Sequence, residues 1–255
     1  MGFLKGKRML PPARACLATL AYAMVLAWAA GPVGAQTAAQ PANLTSTQIV
    51  EQIHRHSQLR SEQLKQYKAL RHYDVEYHGF ATRLAATMDV EETYDAAEGK
   101  SFRVVAESGS SLLREKVLKR EMASEKEASL DKASFALSEI NYRFHLDGTE
   151  SIQNRPSYVL DVEPLTSSKF LFRGRIWVDA EDFAVVKMET EPARNPSMWI
   201  SRTLIHSTSA KTGGFWMPQQ VRSETKVRVG GTAVLTIDYK GYEVHSEDPD
   251  RAATF

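Results

Sequence analysis

The sequence predicts a mainly β protein of the α+β class: one large antiparallel sheet with a few helices on one face. Three observations predict it. From Tyr73 onward, apolar side chains recur at alternate positions in about ten short runs, the period of strands with one wet face. Helical patterns occur only near the start and once after the third run, so strands and helices do not alternate as in a parallel sheet. Short turn segments separate the runs, Gly230-Gly231 being a tight hairpin turn.

The N-terminus has its own order. Lys5, Lys7, Arg8 and Arg14 precede an apolar stretch, residues 15–30, which ends in Gly31-Pro32-Val33-Gly34-Ala35. Basic, apolar and small residues in that order make a cleavable secretory signal, with Ala35 its last residue. The apolar run is about 16 residues, short of the roughly 20 that a spanning helix needs. Residues 1–35 are therefore expected to be removed and the mature chain to reside in the periplasm. Cys16, the one cysteine, lies inside the signal, so the mature chain has no disulfide or thiolate site. Cleavage also removes four of the 32 Lys and Arg and none of the 31 acids, leaving a net charge of about −3. That balance gives no expectation of nucleic-acid binding. Residues 36–44 are expected to be a disordered spacer, 45–246 one domain and 247–255 a flexible tail.

The first element is a helix. Thr45 is its N-cap, Gln48 the capping-box partner, and Leu44 with Ile49 a hydrophobic staple. Ile49, Ile53, Leu64, Tyr67 and Leu70 form an apolar stripe, loosely spaced past His56, that predicts a helix over residues 45–71, with a break around Leu59-Arg60-Ser61 as the alternative. Tyr73, Val75 and Tyr77 then alternate with Asp74, Glu76 and His78 as a strand. Residues 87–94 and 102–106 read as two more, joined by Ala96-Ala97-Glu98-Gly99. Residues 111–131 are rich in Leu, Lys, Glu and Ala; Glu115 and Lys119 pair at i,i+4, and a second helix capped by Ser111 is expected. The remaining strands are marked by Tyr142-Phe144-Leu146, Tyr158-Leu160-Val162, residues 170–178, 183–189, 199–207, 221–229 and 232–244.

No catalytic pattern is present. His54 and His56 are two residues apart and point to different sides of a helix; no His-Glu-x-x-His or cysteine cluster exists. Gly109-Ser110-Ser111 lacks the frame of a nucleophile elbow. Asp179, Glu181 and Asp182 at a hairpin tip read as solvated turn acids. No cofactor and no metal are expected, and the chain is not expected to be an enzyme. The apolar supply stands out instead: it exceeds what two or three short helices would cover, and a greasy concave surface is its functional reading.

Residues 155–164, RPSYVLDVEP, continue with 172–179, FRGRIWVD, and 183–189, FAVVKME; later come 195–200, NPSMWI, and 215–218, FWMP. Across roughly residues 140–245 this resembles the LolA-like superfamily of periplasmic lipoprotein carriers and outer-membrane lipoprotein-sorting proteins. The resemblance implies an incomplete, unclosed β barrel curled around helices, with an apolar cavity on the concave face. It implies a lipid-binding transport or chaperone role in outer-membrane biogenesis, in which the cavity shields acyl chains from water at about 0.8 kcal/mol per methylene. Partners would be lipoprotein acyl chains or phospholipid, with a membrane-bound donor or receptor protein, and the chain a monomer. No residue aligns with the carriers' gating arginine. Strand alternation puts Tyr158, Leu160, Ile176, Met188, Trp199 and Leu204 in the cavity lining, with Trp177 and Trp216 as further candidates; a one-residue slip inverts such assignments. An envelope sensor or scaffold that binds a protein through a strand edge is the alternative.

Overall fold

A computed structural model describes residues 43–119, 122, 123, 125, 136–168, 170–195, 197–228 and 230–246. The expected signal segment, most of the spacer, the tail and much of residues 120–135 lie outside them.

Helix α1 (Ser46–Gln63) starts as the sequence predicts: Thr45 accepts from the Gln48 amide, and the Gln48 side chain accepts from the Thr45 amide. Such a cap contributes about 1 kcal/mol. Its buried face is Ile49, Val50 and Ile53. Leu44, the expected staple residue, packs against the core. The helix stops eight residues earlier than the apolar stripe predicts. Strand β1 (Leu64–His78) takes over, because Tyr67, Ala69, Arg71, Tyr73 and Val75 fall on one face of an extended chain and all are buried. Pairing with strands on both sides overrides the local helical spacing.

The other strands are β2 (Arg83–Asp95), β3 (Gly99–Gly109), β4 (Tyr142–Ile152), β5 (Arg155–Pro164), β6 (Phe172–Asp179), β7 (Val185–Pro192), β8 (Ile200–Thr212), β9 (Phe215–Val227) and β10 (Thr232–Ser246). They form one antiparallel sheet in the order β3-β2-β1-β10-β9-β8-β7-β6-β5-β4. β3 and β4 do not pair with each other, so the barrel is unclosed, as expected. β1 lies between its hairpin partner β2 and the last strand β10, with Tyr73 opposite both Met88 and Ile237.

The second helical segment is shorter and less regular than predicted. α2 (Ser111–Leu113) passes directly into a π turn (Arg114–Leu118), and its cap is Ser110, not Ser111. The Glu115–Lys119 pair forms at 2.7 Å on the surface, while Leu113, Val117 and Leu118 are buried.

One large core joins the helices to the inner face of the sheet. It contains Ile49, Val50 and Ile53 of α1, Leu113, Val117 and Leu118, and residues from β1, β2 and β4 to β10. A smaller cluster, Val159, Trp177, Ala184, Val186 and Trp216, forms on the opposite face. No helix among the described residues is long and apolar enough to cross a membrane.

Candidate functional site

The inner face has an apolar half and a charged half. On β5, β6 and β7, Tyr158 faces Val178, Leu160 faces Ile176, and Ile176 faces Met188. These four predicted lining residues, Tyr158, Leu160, Ile176 and Met188, thus come together, continuous with Val162 and Phe172. All are 0–5% exposed, so in this conformation they meet protein rather than an open void.

The other four predicted residues lie elsewhere. Trp177 and Trp216 belong to the opposite-face cluster. Trp177 donates its Nε1 hydrogen to Glu150 at 2.8 Å, and the Lys187 ammonium sits 4.1 Å over its ring. Leu204 alternates with the buried Thr203 and Ile205 and lines an outer recess of about 360 Å³ with Glu163, Arg173, Glu189, Glu191 and His206. Trp199 is half-buried in the loop before β8, where its carbonyl accepts from the Arg228 amide. The alternation in the sequence is real, but it does not say which phase of each strand faces inward.

The charged half lies on β1, β2, β3 and β10. Arg71 is fully buried. Its Nε donates to Glu92 at 2.6 Å, and Nη1 and Nη2 donate to the two oxygens of Glu125 at 2.6 and 2.9 Å. The rings of Phe102 and Tyr239 each lie 4.9 Å from its guanidinium carbon. Glu92 also accepts from Tyr67 at 2.7 Å and pairs with Lys100 at 2.8 Å. Arg71 and Lys100 balance Glu92 and Glu125, so the cluster is neutral and its charges are paired, which burial demands. Burial pulls Arg71 towards neutrality, but Glu125 and Glu92 outweigh it and hold the guanidinium well above its ordinary range. Burial pushes Glu92 up against the opposing pull of Arg71. Burial brings the Lys100 ammonium down to about 8.

Glu125 is the informative member. It belongs to the segment that starts at α2, so its bidentate bond to Arg71 ties that segment to the sheet. The sequence reading missed Arg71 because residues 64–71 carry a helical stripe as well as an alternating one. Its signal was the alternation Tyr67-Ala69-Arg71-Tyr73, with an arginine in an apolar phase.

A second buried network corrects the reading of two of the turn acids, while Glu181 is exposed as expected. Asp179, which ends β6, and Asp182, in the turn to β7, are 1% and 2% exposed. Arg155 reaches Asp179 at 2.6 Å, Glu181 at 2.9 Å and Asp182 at 3.0 Å. Asp182 also accepts from Lys211 at 2.9 Å and from the Trp216 ring nitrogen at 2.7 Å. Phe183 follows with φ +50, a left-handed conformation that a bulky residue rarely adopts, and packs 5.2 Å from His56 of α1. These acids therefore pin the hairpin turn to β5, β8 and β9. Among the described residues, no group of three or more His, Cys, Asp or Glu is placed to hold a metal ion.

No family model matches the sequence, and neither does any curated protein. Solved structures do. A DUF1329 family protein from Desulfovibrio piger matches 81% of this chain and 96% of its own, at 13% identity and a TM-score of 0.43. A LolA superfamily protein from Nitrosomonas europaea matches 83% and 98%, at 15% identity and a TM-score of 0.32. A chain of the Pseudomonas aeruginosa MucA/MucB complex matches 78% and 94%, at 10% identity and a TM-score of 0.28. Over most of its length, this chain is thus structurally similar to LolA superfamily, DUF1329 and MucB structures at low sequence identity.

Proposed function

We propose that this chain is a non-catalytic binding protein of the periplasm, which takes acyl chains of a lipid or lipoprotein against the inner face of its sheet. The observation that carries the reading is the cover of that face. An apolar surface contributed by nearly every strand is closed by α1 and by a short segment pinned through Arg71 and Glu125. Tyr158, Leu160, Ile176 and Met188 are packed in the closed state, so binding requires the segment to move and an acyl chain to replace its Leu113, Val117 and Leu118. Apolar contacts exchange for apolar contacts at little net cost. The buried ion pair then sets which arrangement is held, a role such pairs fill better than that of adding stability. The sequence resemblance of residues 140–245 to lipoprotein carriers points the same way.

The test is lipid extraction and mass spectrometry of the purified chain, followed by uptake of a fluorescent fatty acid. Bound acyl lipid, or saturable uptake that is faster in the Arg71→Met/Glu125→Met double variant, is the expected result. A lipid-free chain with no uptake in either form would refute the reading. The alternative, a sensor or scaffold that binds a protein partner, is favoured by edge strand β3, where Val104 and Val105 are 39% and 53% exposed. Specific capture of one envelope protein by a lipid-free chain would support it.

A further inference from the structure

Of the nine exposed large apolar side chains among the described residues, five cluster at one end of the sheet, including the three most exposed. Phe80, Ile140 and Met198 are 104%, 87% and 78% exposed, and Leu112 and Leu165 are 57% and 43%. They sit in the β1–β2 turn, α2, the approach to β4, and the β5–β6 and β7–β8 connections, all at one end of the sheet. Most of these connections are stitched into a continuous rim. Tyr77 donates to the Gly230 carbonyl at 3.0 Å, which joins the β1–β2 and β9–β10 turns. The Arg228 amide bonds the Trp199 carbonyl, Ala193 bonds Leu171, and Leu165 bonds Asn141, each at 2.8 Å.

The same rim carries Arg83, Arg194 and Arg228, all exposed and none with an acidic partner among the described residues. Among the described acids between β3 and β4, Glu115 pairs with Lys119 at 2.7 Å, Glu125 is bonded to Arg71, and Glu139 accepts from the Thr47 hydroxyl at 2.8 Å. At the other end of the sheet the turns carry Glu98, Glu181 and Asp182, and the last two are paired with Arg155. Protruding apolar tips beside unpaired arginines match the boundary of a bilayer with anionic headgroups: apolar side chains enter the acyl region while guanidinium groups stay with phosphate. Arginine forks bind phosphate bidentately, and the unpaired arginines at this end alone set the orientation.

We infer that this rim docks the protein on an anionic phospholipid surface through Phe80, Ile140, Met198, Arg194 and Arg228. The contact is separate from the inner face and does not depend on whether that face holds lipid.

The test is co-sedimentation with vesicles of phosphatidylglycerol and phosphatidylcholine (1:1) and of phosphatidylcholine alone. It uses the chain as recovered from expressing cells, with its N-terminus fixed by mass spectrometry. Binding to the anionic vesicles is expected, at least about tenfold weaker on the neutral ones and weakened by salt. Arg194→Gln/Arg228→Gln should weaken it about 25-fold, at roughly fivefold per charge. Phe80→Ser/Ile140→Ser/Met198→Ser should also lose it, and these exposed substitutions leave the fold intact by circular dichroism. Failure of the wild-type chain to bind, or binding unchanged in both variants, would overturn the inference. So would retention on native membranes but not on protein-free vesicles, which assigns the rim to a protein partner.

Discussion

Arg71 shows what a single residue does here. Its guanidinium makes a fork to Glu125 and a further bond to Glu92, lies against two rings, and is fully buried. Removing one member of such a pair leaves a buried charge alone, which costs about 3–5 kcal/mol, whereas replacing both by apolar groups is often neutral. Arg71→Met or Glu125→Met alone should therefore each destabilise the chain by about 3 kcal/mol or more. The double variant should recover most of that loss, since Glu92 still faces Lys100 at 2.8 Å and the remainder is balanced. Urea unfolding of the four chains checks this; additive losses in the double variant would show that the pair is not coupled. At this scale the sequence was legible in part. The inward phase of Tyr158, Leu160, Ile176 and Met188 could be read because polar residues occupy much of the other phase. Leu204, Trp177 and Trp216 could not be placed, because large apolar residues stand on both faces and the second cluster gives the outer ones a core of their own.

At the scale of elements, α1 is held at both ends and in the middle. Thr47 bonds Glu139 at 2.8 Å, His56 meets the Phe183 ring at 5.2 Å, and Arg60 donates to the Trp216 carbonyl at 3.3 Å. Burial lowers the His56 pKa below its usual 6.5; Asp182 opposes the shift and Arg55 adds to it. A histidine depressed in the folded state takes up a proton on unfolding, so stability rises with pH through that window. Its contribution is full above about pH 6.5 and is lost as the pH falls towards the folded value. His56→Phe should keep the contact with Phe183 and flatten the acid limb just below pH 6.5, measured as the urea midpoint against pH. An unchanged limb would mean that other groups set it. The start of α1 was readable from its capping box, which is a local device. Its end was not, because what stops it is the pairing of β1 with β10, whose partner residues are far away in the chain.

The whole molecule divides where its ladder is shortest. β1 and β2 pair without interruption from Gln66↔Asp95 to His78↔Arg83, and β8 and β9 from Ile200↔Val227 to Thr212↔Phe215 with two irregularities. β7 and β8 pair only from Lys187↔Thr208 to Thr190↔Ile205. That seam separates a block holding the charge cluster from one holding Tyr158, Leu160, Ile176 and Met188. The two blocks are bridged by α1 and the shared core. Alternation and turns made the strands legible in sequence, but the depth of each pairing depends on how the sheet curls, which no local pattern encodes. A short ladder has few bonds to break in a local opening, and motions that uncover an inner face draw on such low-stability regions. Backbone amides bonded between β7 and β8 should therefore exchange with solvent through a sub-global opening, at least about tenfold faster than those between β1 and β2. Native-state hydrogen exchange read by NMR checks this: mild denaturant should accelerate the β1–β2 amides steeply and the seam amides weakly. Equal rates and equal denaturant dependence would make the sheet one cooperative unit, and any access to its inner face would then have to come from the helical cover alone.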